Sequence, residues 1–324
     1  MKRLILGVAL LSAGCGKANV GVKVEATPQT QVVGGRTLVK FGFGAEGGVA
    51  PAVAHTTTGW VAAYAGSNLG DRQLYITHSA DGKAWDKPKK LGVSGYTDQF
   101  PCFAADGAGA LHLFFASNRE GDDFSLYQAT YANGTFGAAT AIADTLGAAD
   151  CAVAWDGKRF VLAAETLGVG MTLKTSADGA TFTGEEILVD QGFEPAITAL
   201  ADGKLLVAYM HDGGIYAKTG KPGAWGAEVE AATSVGRLQE PALAFANGKG
   251  LLVFGEKNGS QQISARRFDA AGKFESTAYV QPDAGGDARS PGLAVGDHGD
   301  YGLIWGMKYS TGQQGIVFSV MAAE

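Results

Sequence analysis

One line of text recurs six times along the chain, and nothing else in the sequence restricts the fold as much. It reads APAVAHTTTGWVAAY from Ala50, FPCFAADGAGALHLFF from Phe100, DCAVAWDGKRFVLAA from Asp150, EPAITALADGKLLVAY from Glu194, EPALAFANGKGLLVF from Glu240 and SPGLAVGDHGDYGLIW from Ser290. Each copy sets a residue before a proline, runs through small or apolar residues, turns on Gly, Asp or Asn, and enters a second apolar run. Cys151 takes the proline place once. The anchors at 51, 101, 151, 195, 241 and 291 stand 44 to 50 residues apart. After the two runs most copies carry third and fourth strand-like stretches, such as RQLYITHS and KPKKLGV in the first. Four short strands per copy, tight glycine turns and no helical periodicity predict an all-β chain, a six-bladed β-propeller of four-stranded antiparallel blades.

The small residues of each first run suit innermost strands, because six strands crowd one axis. The last copy has room for three strands, the third being QGIVFSVM. The stretch RTLVKFGF, Arg36 to Phe43, is therefore expected to supply the missing outer strand and close the ring, leaving no open edge at the seam. The expected propeller domain runs from 34 to 324.

Hydrophobic residues make up 46% of the chain and glycines number 49, so a large core is available. A formal charge of -6 argues against nucleic acid and anionic membrane surfaces as partners. The N-terminus, MKRLILGVALLSAGC, has two basic residues, a short apolar run and small residues, which predicts a secretory signal over 1–15. LSAGC resembles the bacterial lipobox, with Leu11 one place early; the resemblance implies lipidation of Cys15, the alternative being a plain signal peptide. Residues 16–33 are then expected to form a polar tether. Membrane contact is expected only through the anchor, in a bacterial envelope, periplasm or secreted fraction. Cys102 and Cys151 remain, either as a disulfide permitted by export or as two small buried residues.

SADGKAW (Ser79, Asp81, Gly82, Trp85) and SADGATF (Ser176, Asp178, Gly179, Phe182) stand at the third-to-fourth-strand turn of two blades, with looser versions elsewhere. They resemble the Asp-box, or BNR repeat, of sialidase-like propellers. The aspartates are expected to be structural, because a side-chain carboxylate can accept the N–H groups of its own turn while glycine supplies positive φ. In an up-and-down blade this turn lies opposite the loops where ligand sites form.

Those other loops gather at the mouth of the ring. They bring Asp150, Glu194, Glu240 and Arg289 to equivalent positions, with Asp98, Arg237, Phe100 and Phe193 close by. The second-to-third-strand loops add Arg72, Arg119, Glu165, His211 and Tyr309. Aromatics with planar hydrogen-bonding groups suit sugars; ordinary solvated loops are the alternative. The sialidase resemblance implies an arginine triad, a tyrosine nucleophile activated by glutamate, and an aspartic acid/base. Asp98, Glu240, Arg289 and Tyr309 follow the family's chain order, but VAPAVA replaces its N-terminal arginine motif. The expectation is thus a monomeric, exported propeller that binds a glycan or envelope protein without sialidase activity. The alternatives are a glycoside hydrolase, with Asp98, Asp150, Glu194, Glu240 and Tyr309 as catalytic candidates, and an assembly scaffold. No metal or cofactor is expected, apart from weak calcium candidates in the acidic loops at Asp122 and Asp287.

Overall fold

A computed structural model describes residues 27–33, 36–41, 49–66, 72–91, 95–121, 123–132, 134–233, 237–258, 260–280, 286–309 and 314–322. Among these residues the chain is all strand and turn, in six antiparallel sheets arranged as the blades of a β-propeller. The innermost strands are Val49–Thr56, Asp98–Ala105, Ala148–Trp155, Phe193–Ala199, Arg237–Ala246 and Asp287–Val295, in blades 1 to 6. Each touches its neighbour in turn, and the sixth touches the first. In blades 2 and 4 the outer strand is interrupted: Thr135–Phe136 and Thr140–Ala141 both pair with Ser125–Ala132, and Ala224–Trp225 and Val229–Ala232 both pair with Gly214–Lys221.

The core is divided rather than single. Six apolar clusters each fill the space between two adjacent blades. Blades 6 and 1, for example, meet through Phe318, Ile304 and Phe41 on one side and Trp60, Tyr64 and Trp85 on the other. Both faces of the second strands are covered by neighbouring blades, so these strands read as unbroken apolar runs such as Gly59–Gly66, buried at every position.

In blade 6 the strand Arg36–Lys40 runs beside Gln314–Met321, with Val39 opposite Phe318 and Lys40 opposite Val317. The Phe41 N–H adds a bond of 2.9 Å to the Ile316 carbonyl. Residues 29–33 fall within the segment expected to be a tether, but they form a further strand hairpinned onto Arg36–Lys40. The sequence QTQVV is β-prone, and pairing satisfies backbone groups that a tether would leave to water. The expected signal segment and Cys15 lie outside the described residues, as does Asp122.

All six innermost strands carry an irregularity of register near the mouth. In five blades the residue there has a left-handed backbone: Ala50 (φ 45°), Phe100 (φ 52°), Glu194 (φ 51°), Glu240 (φ 45°) and Ser290 (φ 51°). Each precedes a proline. The bulge needs a curled backbone, and the proline ring excludes the right-handed curl for the residue before it. Proline suits the site because a bulge asks no ladder N–H of it. Blade 3 differs, for Cys151 replaces proline and Asp150 stays out of the left-handed region.

Candidate functional site at the mouth of the ring

The five left-handed residues and Asp150 form the lip of an axial pocket of about 150 Å³, floored by the prolines, Cys102, Cys151 and the small residues behind them. Carboxylates occupy only half of this lip. Blades 3, 4 and 5 contribute Asp150, Glu194 and Glu240, whereas blades 6, 1 and 2 contribute Ser290, Ala50 and Phe100.

The acids are tied to backbone in a directional sequence. Glu165, from the second strand of blade 3, accepts the Glu194 N–H through Oε2 at 3.3 Å. Glu194 in turn accepts the Glu240 N–H of the next blade at 2.6 Å. A left-handed residue turns its N–H out of its own ladder, and the carboxylate of the preceding blade receives it. Asp150 instead accepts the N–H of Cys151 at 2.7 Å, a donor that proline would not offer. Burial, then Glu240, and further Glu194 and Glu165, push the Asp150 carboxyl well above the usual carboxylate range, although the Cys151 bond opposes this. Burial also raises Glu165, against the bond from Glu194.

The other candidates named from sequence are placed elsewhere. Asp98 is fully buried, bonded by the Ser117 hydroxyl at 2.6 Å and paired with Arg119 at 2.7 Å. The Arg119 guanidinium also lies over the Phe115 and Tyr127 rings, at 5.4 and 5.1 Å. Neither partner of this ion pair is available to a ligand in this arrangement, because the two neutralise each other within the mouth end of blade 2. Arg72 donates to the Gln99 side chain at 3.1 Å and Arg289 to the Gln314 side chain at 3.0 Å. Arg237 begins the innermost strand of blade 5, and its side chain lies outside the described residues. Tyr309 packs toward the blade 5–6 cluster, with the Lys40 ammonium 5.5 Å from its ring centre, and burial lifts its hydroxyl to about 12. A tyrosine nucleophile needs the opposite shift. Sequence order had brought Asp98, Glu240, Arg289 and Tyr309 together; the structure brings only Glu240 to the axial pocket.

Phe100 lines the pocket and packs against the blade 2–3 cluster. Phe193 is exposed and borders a second groove with Leu167, Val169, Glu165 and Asp190. Missed from sequence are Gln99 and Gln314 as the partners of Arg72 and Arg289, Ser117 as a partner of Asp98, and the capping roles of Glu165 and Glu194. Repetition of Glu-Pro at 194 and 240 was the available signal for the second of these.

On the opposite face the two Ser-x-Asp-Gly turns are closed units. Ser79 Oγ accepts the Gly82 N–H at 2.9 Å, and Asp81 Oδ1 accepts those of Lys83 and Ala84 at 2.8 and 2.9 Å. Ser176 and Asp178 repeat the pattern on Gly179, Ala180 and Thr181. Gly82 has φ 71°, and a Cβ there would meet Val320 at 2.8 Å. Trp85 and Phe182 bury their rings in the inter-blade clusters. These bonds hold both aspartates below the usual carboxylate range, the Ala84 and Thr181 N–H groups leading in their respective turns. Among the described residues no group of three or more His, Cys, Asp or Glu side chains is set to hold a metal ion.

Several solved structures share this architecture. A protein of unknown function from Dyadobacter fermentans DSM 18053 matches with a TM-score of 0.73 at 16% identity, over 94% of this chain and 100% of that one. The Hadza microbial sialidase Hz136 matches at 0.64 and 13% identity, over 85% of this chain and 65% of its own. Trypanosoma rangeli sialidase matches at 0.61 and 12%, over 92% and 58%. At such identities the likeness is one of fold, and this chain spans less than two thirds of either sialidase. No family profile matches the sequence, and no curated protein matches it.

Proposed function

We propose that this chain is an exported binding propeller, held to a bacterial envelope through Cys15, that takes a glycan at its mouth without hydrolysing it. The observation that carries this reading is the composition of the axial lip: Asp150, Glu194 and Glu240 converge there, and among the described residues no arginine lines the pocket. Three carboxyls favour ligand hydroxyls and amines as donors and repel the carboxylate of a sialic acid. Arg72, Arg119 and Arg289 are each committed to a protein partner, which argues against a ready carboxylate clamp. At about 150 Å³ the pocket is also smaller than the roughly 300–1,000 Å³ usual for an enclosed small ligand. A sugar would rest across the lip, against Phe100 and the exposed Phe193.

One observation favours a second reading, a glycoside hydrolase. Burial and the neighbouring Glu240 raise the Asp150 carboxyl well above the usual carboxylate range, and a carboxyl of raised value beside a second carboxyl is an arrangement such hydrolysis uses. A glycan array run beside a panel of chromogenic glycosides separates the two. Binding without turnover, weakened at least tenfold by Glu194→Gln or Glu240→Gln, is expected. Turnover abolished by Glu240→Gln would overturn the binding reading, as would an array with no retained glycan.

A further inference from the structure

We propose that Cys102 and Cys151 are a disulfide-forming pair, a covalent staple between blades 2 and 3 at the axis of the ring. In this structure both are free thiols, and their Sγ atoms lie 2.9 Å apart. A disulfide needs about 2.05 Å, so the sulfur atoms close by less than an ångström. The two residues are on touching innermost strands, Cys102 opposite Phe114 in its blade and Cys151 opposite Ala164 in the next. The two side chains stand one place apart in the repeat, Cys102 after Pro101 and Cys151 in the proline place itself, and they meet across the boundary between blades 2 and 3. Both residues line the axial pocket, which gives a small oxidant a path from the mouth.

The location explains why the pair stands here. In five blades proline stiffens the bulge just inside the lip; blade 3 has Cys151 in that place. The backbone N–H that cysteine brings is taken by the Asp150 carboxylate, so its polar cost is met. What blade 3 lacks relative to the others is the restriction of the proline ring, and a cross-link to blade 2 supplies restriction of another kind.

The chemistry is a pair of thiol–disulfide exchanges with an external disulfide, either a small molecule such as oxidised glutathione or the disulfide of an exported oxidase. One protein thiol loses its proton and attacks the external disulfide, forming a mixed disulfide and releasing one reduced thiol. The second protein thiol loses its proton and attacks the mixed disulfide at the protein sulfur, which forms the Cys102–Cys151 bond and releases the second reduced thiol. The protein is oxidised by two electrons, and the external disulfide is reduced to two thiols. The Cys151 thiol is pushed well above its ordinary value by its bond with Cys102, by burial and by the nearby Asp150. Thiolate is scarce at neutral pH, so the bond forms slowly and, once buried, is slow to be reduced.

The test equilibrates the full chain with excess oxidised glutathione, blocks residual thiols with N-ethylmaleimide under denaturing conditions, and maps the peptides by mass spectrometry without reductant. The expected result is one linked peptide pair containing Cys102 and Cys151, two mass units lighter than the sum of the free peptides. The link spans 49 residues of chain, so reduction of the linked protein should lower its midpoint of thermal unfolding by roughly 5–10 °C. The double variant Cys102→Ser, Cys151→Ser serves as a control whose midpoint reductant does not move. Alkylation of both residues after equilibration would overturn the proposal, as would a link from either of them to Cys15 or persistent glutathione adducts.

Discussion

Burial and the neighbouring Glu240 hold the Asp150 proton in the folded chain at pH values where the unfolded chain, with an ordinary value of 3.8, has released it. The folded state therefore binds more protons across that window, and stability falls as pH rises through it. Replacing Asp150 by Asn keeps an oxygen for the Cys151 N–H and removes the charge. Thermal unfolding at pH 4 and pH 8 should show Asp150→Asn more stable than the parent at pH 8, by on the order of 1–3 kcal/mol, with the gap closing at pH 4. Asp81 and Asp178 work in the opposite sense: their values are lowered, so the stability they add is present above 3.8 and is lost as pH falls through the folded values. The difference between these acids was half legible in the sequence. A serine two places before Asp81 and a glycine just after it describe a turn that consumes its own carboxylate. Asp98 looked equally available to a ligand, because its partners are 19 and 21 residues away and only the register of two strands brings Ser117 and Arg119 to it.

Strands and turns were the most legible elements, since alternation of small, apolar and turn residues repeats six times and each copy supports the others. The bulge near each mouth was less so. Proline before a small run marks a break in the ladder, but not that the residue before it is left-handed, nor that Glu194 and Glu240 give their N–H groups to a carboxylate of the preceding blade. The innermost strand of blade 6 adds a tighter constraint. A Cβ at Gly292 would stand 2.5 Å from the Pro51 carbonyl and 2.9 Å from the Ile304 side chain, so blades 6 and 1 approach there backbone to backbone. Gly292→Ala should therefore destabilise the protein by about 1–3 kcal/mol, despite the loss of unfolded-state entropy that alanine brings. Chemical denaturation monitored through tryptophan fluorescence, with Trp60 and Trp305 in the two blades concerned, checks it; an unchanged midpoint would show that the seam has slack.

At the level of the whole molecule, stability is distributed among six interfaces of similar make-up rather than gathered in one core. The strand Arg36–Lys40 and the residue after it contribute Leu38, Val39 and Phe41, all without exposed surface, to the interfaces on either side of blade 6. Burial of three such side chains is worth roughly 5–9 kcal/mol, comparable to the whole stability of a typical domain. Removal of residues 1–41 should leave Gln314–Met321 as a bare edge and yield aggregated material in size-exclusion chromatography. A soluble monomer with an unaltered unfolding midpoint would contradict this. The mouth contributes a different kind of interdependence. Because Glu165 holds the backbone of blade 4 and Glu194 that of blade 5, part of each blade's support is written in its neighbour's sequence. The blades resemble one another yet are not interchangeable parts: a copy of blade 1 inserted in place of blade 4 would bring Ala50 where Glu194 stands and leave the next blade's N–H uncapped. Change at one lip position is thus conditional on the residue one blade away, which makes the acidic half of the ring a unit of inheritance larger than the repeat that built it.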